Sequence, residues 1–280
     1  MEKVNVRLVP TGSIFKELDV NRICKWDFCL FQVECIQERC YLPQKSDIVE
    51  DDLWAYSDVL LEASLPVFNP SKKNSLDLTL FILDAPIEDN YLIRIIGHNR
   101  IVLTYYDARE FLLKENIPLE NYLISNIYTF VLLLLAKFRS GQEPVLTPDD
   151  ENDITHDYRE GCIYDMCGTK EDIVYSCVKP VICKVCEKYL TEKGIKTEEI
   201  NDVNKELKRL ERTLYYSVVQ ELKAFPFIAF FLSCFLAFCM SVIANFATGN
   251  NNNPRLIIWI FWFALVAGCF AWRMKTKKHL

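Results

Sequence analysis

The stretch Leu119-Glu-Asn-Tyr-Leu-Ile-Ser-Asn-Ile-Tyr-Thr-Phe-Val-Leu-Leu-Leu-Leu-Ala-Lys-Phe138 decides the fold, because it can be read in two ways. As a membrane span it would cut the first two thirds of the chain in half. As a core helix it would gather the flanking strands around itself. Pro118 and Glu120 open it and Lys137 closes it, while Asn121, Ser125, Asn126 and Thr129 interrupt its apolar surface. Polar groups at helical spacing call for protein partners, so the stretch predicts a central core helix, with a span as the alternative.

Working outward, the apolar runs before it read as strands. Val4 to Val9 alternates and stops at Pro10-Thr-Gly12; Phe28 to Ile36 is a second β-rich run. Leu76 to Leu83 and Arg100 to Tyr105 are buried strands, with Asn90 to Asn99 between them. Asp51 to Leu65 spaces Leu53, Trp54, Val59, Leu60 and Leu61 as a helix does, and 66–74 is a loop. Strands mixed with helices predict an α+β (mixed α/β) head extending to about residue 195. From 197 to 222, Ile200, Val203, Leu207, Leu210, Leu214 and Val218 recur at steps of three and four. This predicts an amphipathic helical stalk over 196–225, which either self-associates as a coiled coil or packs on the head.

The last fifty-seven residues carry no acid and only Arg255, Arg273, Lys275, Lys277 and Lys278 as fixed charges. Ala224 to Ala247 is charge-free, and so is Leu256 to Trp272 beyond the polar tip Asn250 to Pro254. Roughly 17 to 25 apolar residues suffice for a span. The pair therefore predicts a C-terminal transmembrane hairpin over 226–273, with a buried hairpin of a soluble protein as the weaker reading. The basic tail at 274–280 should stay cytoplasmic, and two spans then place both termini on that side of the plasma (inner) membrane. The start Met1-Glu-Lys-Val-Asn5 offers no apolar signal segment, in keeping with this orientation. Residues before 224 hold 27 of the 32 Lys and Arg and all 38 Asp and Glu, a formal balance of −11. Such a head is unsuited to binding nucleic acid and is repelled by anionic lipid, so the hairpin is its expected link to the bilayer.

Twelve cysteines in a reducing compartment read as metal ligands or small apolar groups. Cys234, Cys239 and Cys269 fall within the apolar stretches. Cys24, Cys29, Cys35 and Cys40 lack any CxxC pair, which favours core packing over a second metal site. The chemical signal lies later, in His156-Asp-Tyr-Arg-Glu-Gly-Cys162-Ile-Tyr-Asp-Met-Cys167 followed by Cys183-Lys-Val-Cys186. A CxxC pair converges two thiolates on one tetrahedral ion and leaves the other ligands to a distant loop. The candidate set is Cys162, Cys183 and Cys186, completed by His156 or by Cys167. Thiolate-rich ligation suits zinc, and four protein ligands leave no place for water, so the ion would be structural. Cys177 lies outside the spacing and reads as packed.

This segment resembles the archaemetzincins, zinc peptidases whose helix carries His-Glu-x-x-His-x-x-Gly-x-x-His. In that family a Cys follows at once, then four residues, Cys-x-Met, about seventeen residues and CxxC. His156 sits like the third histidine; Asp157 replaces the adjacent Cys, Cys162 follows, Tyr164 takes the Met place, and Cys183/Cys186 close the pattern one residue late. The strands at Leu76 and Ile101 also precede a long helix, so the likeness covers about residues 1–190 in outline. Counting back from His156 places the first two catalytic histidines on Leu146 and Asp150, the catalytic Glu on Thr147 and the Gly on Asp153. The resemblance therefore implies a zincin-like head that kept the structural zinc and lost the catalytic one.

Enzyme chemistry has little else to draw on. The histidines are only His98, His156 and His279, and with eight glycines the chain shows no nucleophile elbow or phosphate loop. Asp149 to Asp153 could hold a hard cation but reads better as a solvated loop, and Asp84, Glu88 and Asp89 either line a cleft near His98 or cap a loop. The expectation is a non-catalytic sensor or effector, a homo-oligomer through stalk and hairpin that perturbs the membrane. By analogy alone, that is the logic of small membrane effectors in prokaryotic antiviral defence. The alternative is a membrane-tethered metallopeptidase with a non-standard active site.

Overall fold

In β1 (Val4–Pro10), Val4, Val6 and Leu8 alternate with Asn5, Arg7 and Val9, and all are buried, so this strand lies inside the sheet with both faces covered. The computed structural model describes residues 3–11, 13–36, 40, 42, 55–68, 76–157 and 161–210. There β1 pairs in parallel with β2 (Phe31–Cys35) on one side and β3 (Asp77–Leu83) on the other. β3 pairs in parallel with β5 (Arg100–Thr104), and β4 (Ile93–Ile95) runs antiparallel along the far edge. The order is β2-β1-β3-β5-β4. The reversal from β4 to β5 turns on Gly97, His98 and Asn99, all with positive φ.

Period-two alternation divides the buried side chains between two layers. Val6, Leu80, Ile82, Ile101 and Leu103 face the larger core, which holds α4 (Leu119–Arg139) with α1 (Val20–Lys25) and α3 (Ala108–Lys114) beside it. Val9, Phe81, Leu83 and Val102 face a smaller one that takes Leu61 from α2 (Asp58–Ser64). Burial of Arg100 on this side is offset by its donation to the carbonyls of Glu62, Leu65, Ile96 and Gly97. The observed class is mixed α/β with a five-stranded sheet.

Among the described residues, α4 is the one helix long and apolar enough to cross a membrane, yet 89% of its apolar window is buried in the head. Its polar residues serve as ties to the next layer. Asn121 Nδ2 donates to Cys177 O in α6 (Ile173–Val178) and to Leu210 O, and Thr129 Oγ1 donates to Ile163 O. Core helix is the reading that fits.

The segment expected to leave as a stalk begins inside the head. Ile200, Val203, Leu207 and Leu210 are buried where α8 (Thr197–Lys208) packs on it. Arg139 of α4 holds Glu199, and Asn204 Oδ1 accepts from Ile182 N at 2.9 Å. Within its described part, the apolar stripe is thus covered by the chain's own core. The rest of the expected stalk, the two apolar stretches and the basic tail lie outside the described residues.

Glu206 of α8 is nearly buried, accepts from Cys29 N at 3.2 Å and is hydrogen-bonded by the Tyr128 hydroxyl. Burial holds its carboxyl above the ordinary glutamate value of 4.5. With the folded value raised, the contribution to stability is greatest below the unfolded value and is lost as pH rises through the folded one. Glu206→Gln keeps the acceptor oxygen and is expected to gain about 1 kcal/mol at pH 7, a gain that vanishes near pH 4. Urea unfolding at the two pH values checks this; an equal effect at both contradicts it.

Candidate metal centre

Two short backbone ladders and one helix start bring the ligands together. Tyr164 O accepts from His156 N at 3.2 Å and His156 O accepts from Met166 N at 3.1 Å, which lays His156 beside Asp165. Gly161 O accepts from Val181 N at 2.7 Å and Val181 O from Ile163 N at 3.0 Å, which sets Cys162 beside Val181. The knuckle is fastened to α4, where Tyr164 Oη donates to Thr129 O at 3.2 Å. Cys183 caps the N-terminus of α7 (Lys184–Glu192), and Cys186 lies in its first turn.

The sulfurs of Cys162, Cys183 and Cys186 and a ring nitrogen of His156 all lie within 4.8 Å of one another. Cys162 and Cys186 Sγ are 3.8 Å apart, Cys183 and Cys186 Sγ 3.6 Å, and Cys183 Sγ and His156 Nε2 3.4 Å. Bonds of about 2.3 Å to sulfur and about 2.0 Å to nitrogen give a tetrahedral ion ligand separations of roughly 3.5 to 3.8 Å. These three separations are close to that spacing, and the four residues could hold a metal ion. His156 Nδ1 is buried and, among the described residues, has no hydrogen-bond partner.

The Cys162 thiol is lowered to about 5, first through the hydrogen bond from Cys186, with the backbone amides of Tyr164 and Cys183 adding to it against burial. The same contact pushes Cys186 up. One proton is held between two sulfurs, and a cation at the centre would displace it.

Of the two candidates for the fourth position, His156 is in the group. Cys167 is outside it, at φ +49 with its sulfur 3.7 Å from Ser176 Oγ, and burial raises its thiol to about 11. Cys177 is packed, as its position implied. Core packing does not describe the early cysteines fully. Cys24 is exposed and paired with the half-buried Cys35, while Cys29 and Cys40 are half-buried against the two cores. Gly161 carries no signal in the sequence beyond standing directly before a ligand, and Thr129 signals a polar tie in the helix without naming Tyr164 and Ile163 as its partners.

The positions reached by counting back from His156 are not on one long helix. Leu146 is fully buried ahead of the five-residue α5 (Pro148–Asn152). Asp150, expected in a solvated loop, is within α5 and pairs with Lys137 at 2.7 Å, and its Oδ2 accepts from the Thr147 hydroxyl. Asp84 accepts from Ser13, Glu88 from Asp58 N, and Asp89 pairs with Arg94, so these acids face separate partners. No protein-family model matches this chain, and no curated protein or solved structure matches it.

Proposed function

We propose that the chain is a membrane-tethered, non-catalytic sensor or effector whose head is stapled by structural zinc. The observation that supports it most is the closed ligand set: three sulfurs and one imidazole at tetrahedral spacing, with no fourth position left for water. Thiolate-rich tetrahedral ligation suits zinc over magnesium or calcium. Bound there, the ion would tie the knuckle to the start of α7 and so fix the layer on which α8 rests. The order of elements, strands β3 and β5 ahead of a long helix and then the ligand set, agrees with a zincin-like head without the catalytic histidines.

The charge-free stretches at 224–247 and 256–272 supply the tether, and copies gathered in the bilayer would perturb it. Release of dye from vesicles by the full chain, compared with the chain ended after Arg212, tests this. Leakage and membrane retention are expected from the full chain only. Peptide cleavage by the shortened chain, abolished by Asp150→Ala, would establish the membrane-tethered peptidase in its place.

A further inference from the structure

A cleft of about 350 Å³ is lined by residues of α4, α5, α7 and the segments beside them. That volume lies within the roughly 300–1,000 Å³ of small-molecule sites. We infer that this cleft binds a free α-amino acid with an apolar side chain. The inference rests on the sensor reading and names the ligand class of that head.

The lining carries both signs of charge on an apolar floor. Leu133, Ala136 and Val145 form the floor. Lys137 and Asp150 hold one wall, their side chains only 18% and 17% exposed. Lys137 Nζ donates to Val145 O and to Asp150 Oδ2, both at 2.7 Å. Thr147 adds its amide and its hydroxyl to the same oxygen at 2.7 and 2.8 Å. Three donors thus converge on Oδ2, and the other carboxylate oxygen is the one available to an incoming ammonium. Lys137 likewise has three N–H donors and two described acceptors, which leaves one for a carboxylate.

The facing wall comes from α7. Tyr189 and Lys193 line it, with Lys193 Nζ 5.6 Å from the Tyr189 ring centre. Burial, then the charges of Asp153 and Asp150, push the Tyr189 hydroxyl above its ordinary range. A polyanion entering here would meet Asp150, Asp153 and Glu143; a polyamine would meet Lys137 and Lys193. A molecule bearing one ammonium and one carboxylate a few ångströms apart answers both, with its side chain on the floor. Tyr189 of this wall lies on the helix whose first turn holds Cys186 and whose N-cap is Cys183, so the cleft and the metal centre share α7.

Titration calorimetry of the full, metal-loaded chain in detergent tests this, with L-leucine and L-phenylalanine as probes. Two leucine analogues serve as controls: 3-methylbutylamine, which lacks the carboxylate, and 4-methylpentanoate, which lacks the amine. At least one amino acid should bind, each half-charged analogue about tenfold or more weaker, and Asp150→Asn should weaken binding by a similar factor. Lys193→Met, at a partly exposed position, should weaken binding about threefold or more while leaving the melting temperature unchanged. Failure of both amino acids to bind, or tighter binding of either analogue, overturns the inference; neither result bears on vesicle leakage by the hairpin.

Discussion

Replacing Cys183 and Cys186 together by serine is expected to abolish zinc retention and to remove the cooperative thermal transition of the head. Structural zinc contributes roughly 10–16 kcal/mol of apparent binding free energy, comparable with or larger than the ~5–15 kcal/mol that holds a typical domain folded. The two substitutions take half the ligand set and free the first turn of α7. That helix buries Cys186 and Leu190, and Ile182, two residues ahead of it, is hydrogen-bonded to Asn204 of α8, so the disturbance reaches the last described helix of the head. Circular dichroism melting with metal analysis of the same sample reads the result. A chelator applied to the unaltered chain should reproduce it, because ligand removal and ion removal are the same perturbation. Unchanged melting in both would mean that the site contributes nothing to folding.

The second large effect is expected at Gly161, where only glycine fits. Its φ is +83, and a Cβ built there would lie 2.5 Å from the Lys179 carbonyl oxygen, a backbone atom that cannot swing away. The ladder bond from Val181 N to Gly161 O fixes that approach, and Cys162 is the next residue. Gly161→Ala is therefore expected to cost about 3 kcal/mol or more and to weaken metal binding. Gly141 is the control, since its φ is +77 but nothing lies within 4 Å of the added carbon. Gly141→Ala should cost about 1 kcal/mol from backbone strain alone. Denaturant titration of the two variants separates collision from strain; equal costs would remove the argument for Gly161.

Much of this architecture is legible in the residues. The runs at Val4, Leu76 and Ile101 announce strands, the last two of them buried, and the polar residues of the 119–138 stretch mark it as a core helix before any contact is known; that β1 is covered on both faces as well is seen only in the structure. β4 is not legible, because Ile93-Arg-Ile95 is too short for alternation to register. The α8 pattern shows an apolar stripe but not what covers it. A seam between copies and a face on the head require the same spacing, and Glu206, which decides for the head through Tyr128 and Cys29, reads in sequence as an ordinary surface acid. The ligand set is legible through the CxxC spacing, since two thiols three residues apart at a helix start converge by geometry. The choice between His156 and Cys167 is not, because it depends on the two backbone ladders that hold His156 in place.

X-ray absorption at the zinc edge, on the metal-loaded full chain, reads the ligand set itself. One zinc per chain is expected, with three sulfur neighbours at about 2.3 Å, one nitrogen at about 2.0 Å and no oxygen. A water or carboxylate oxygen in the first shell, fewer than three sulfurs, or a chain that retains no zinc would contradict it.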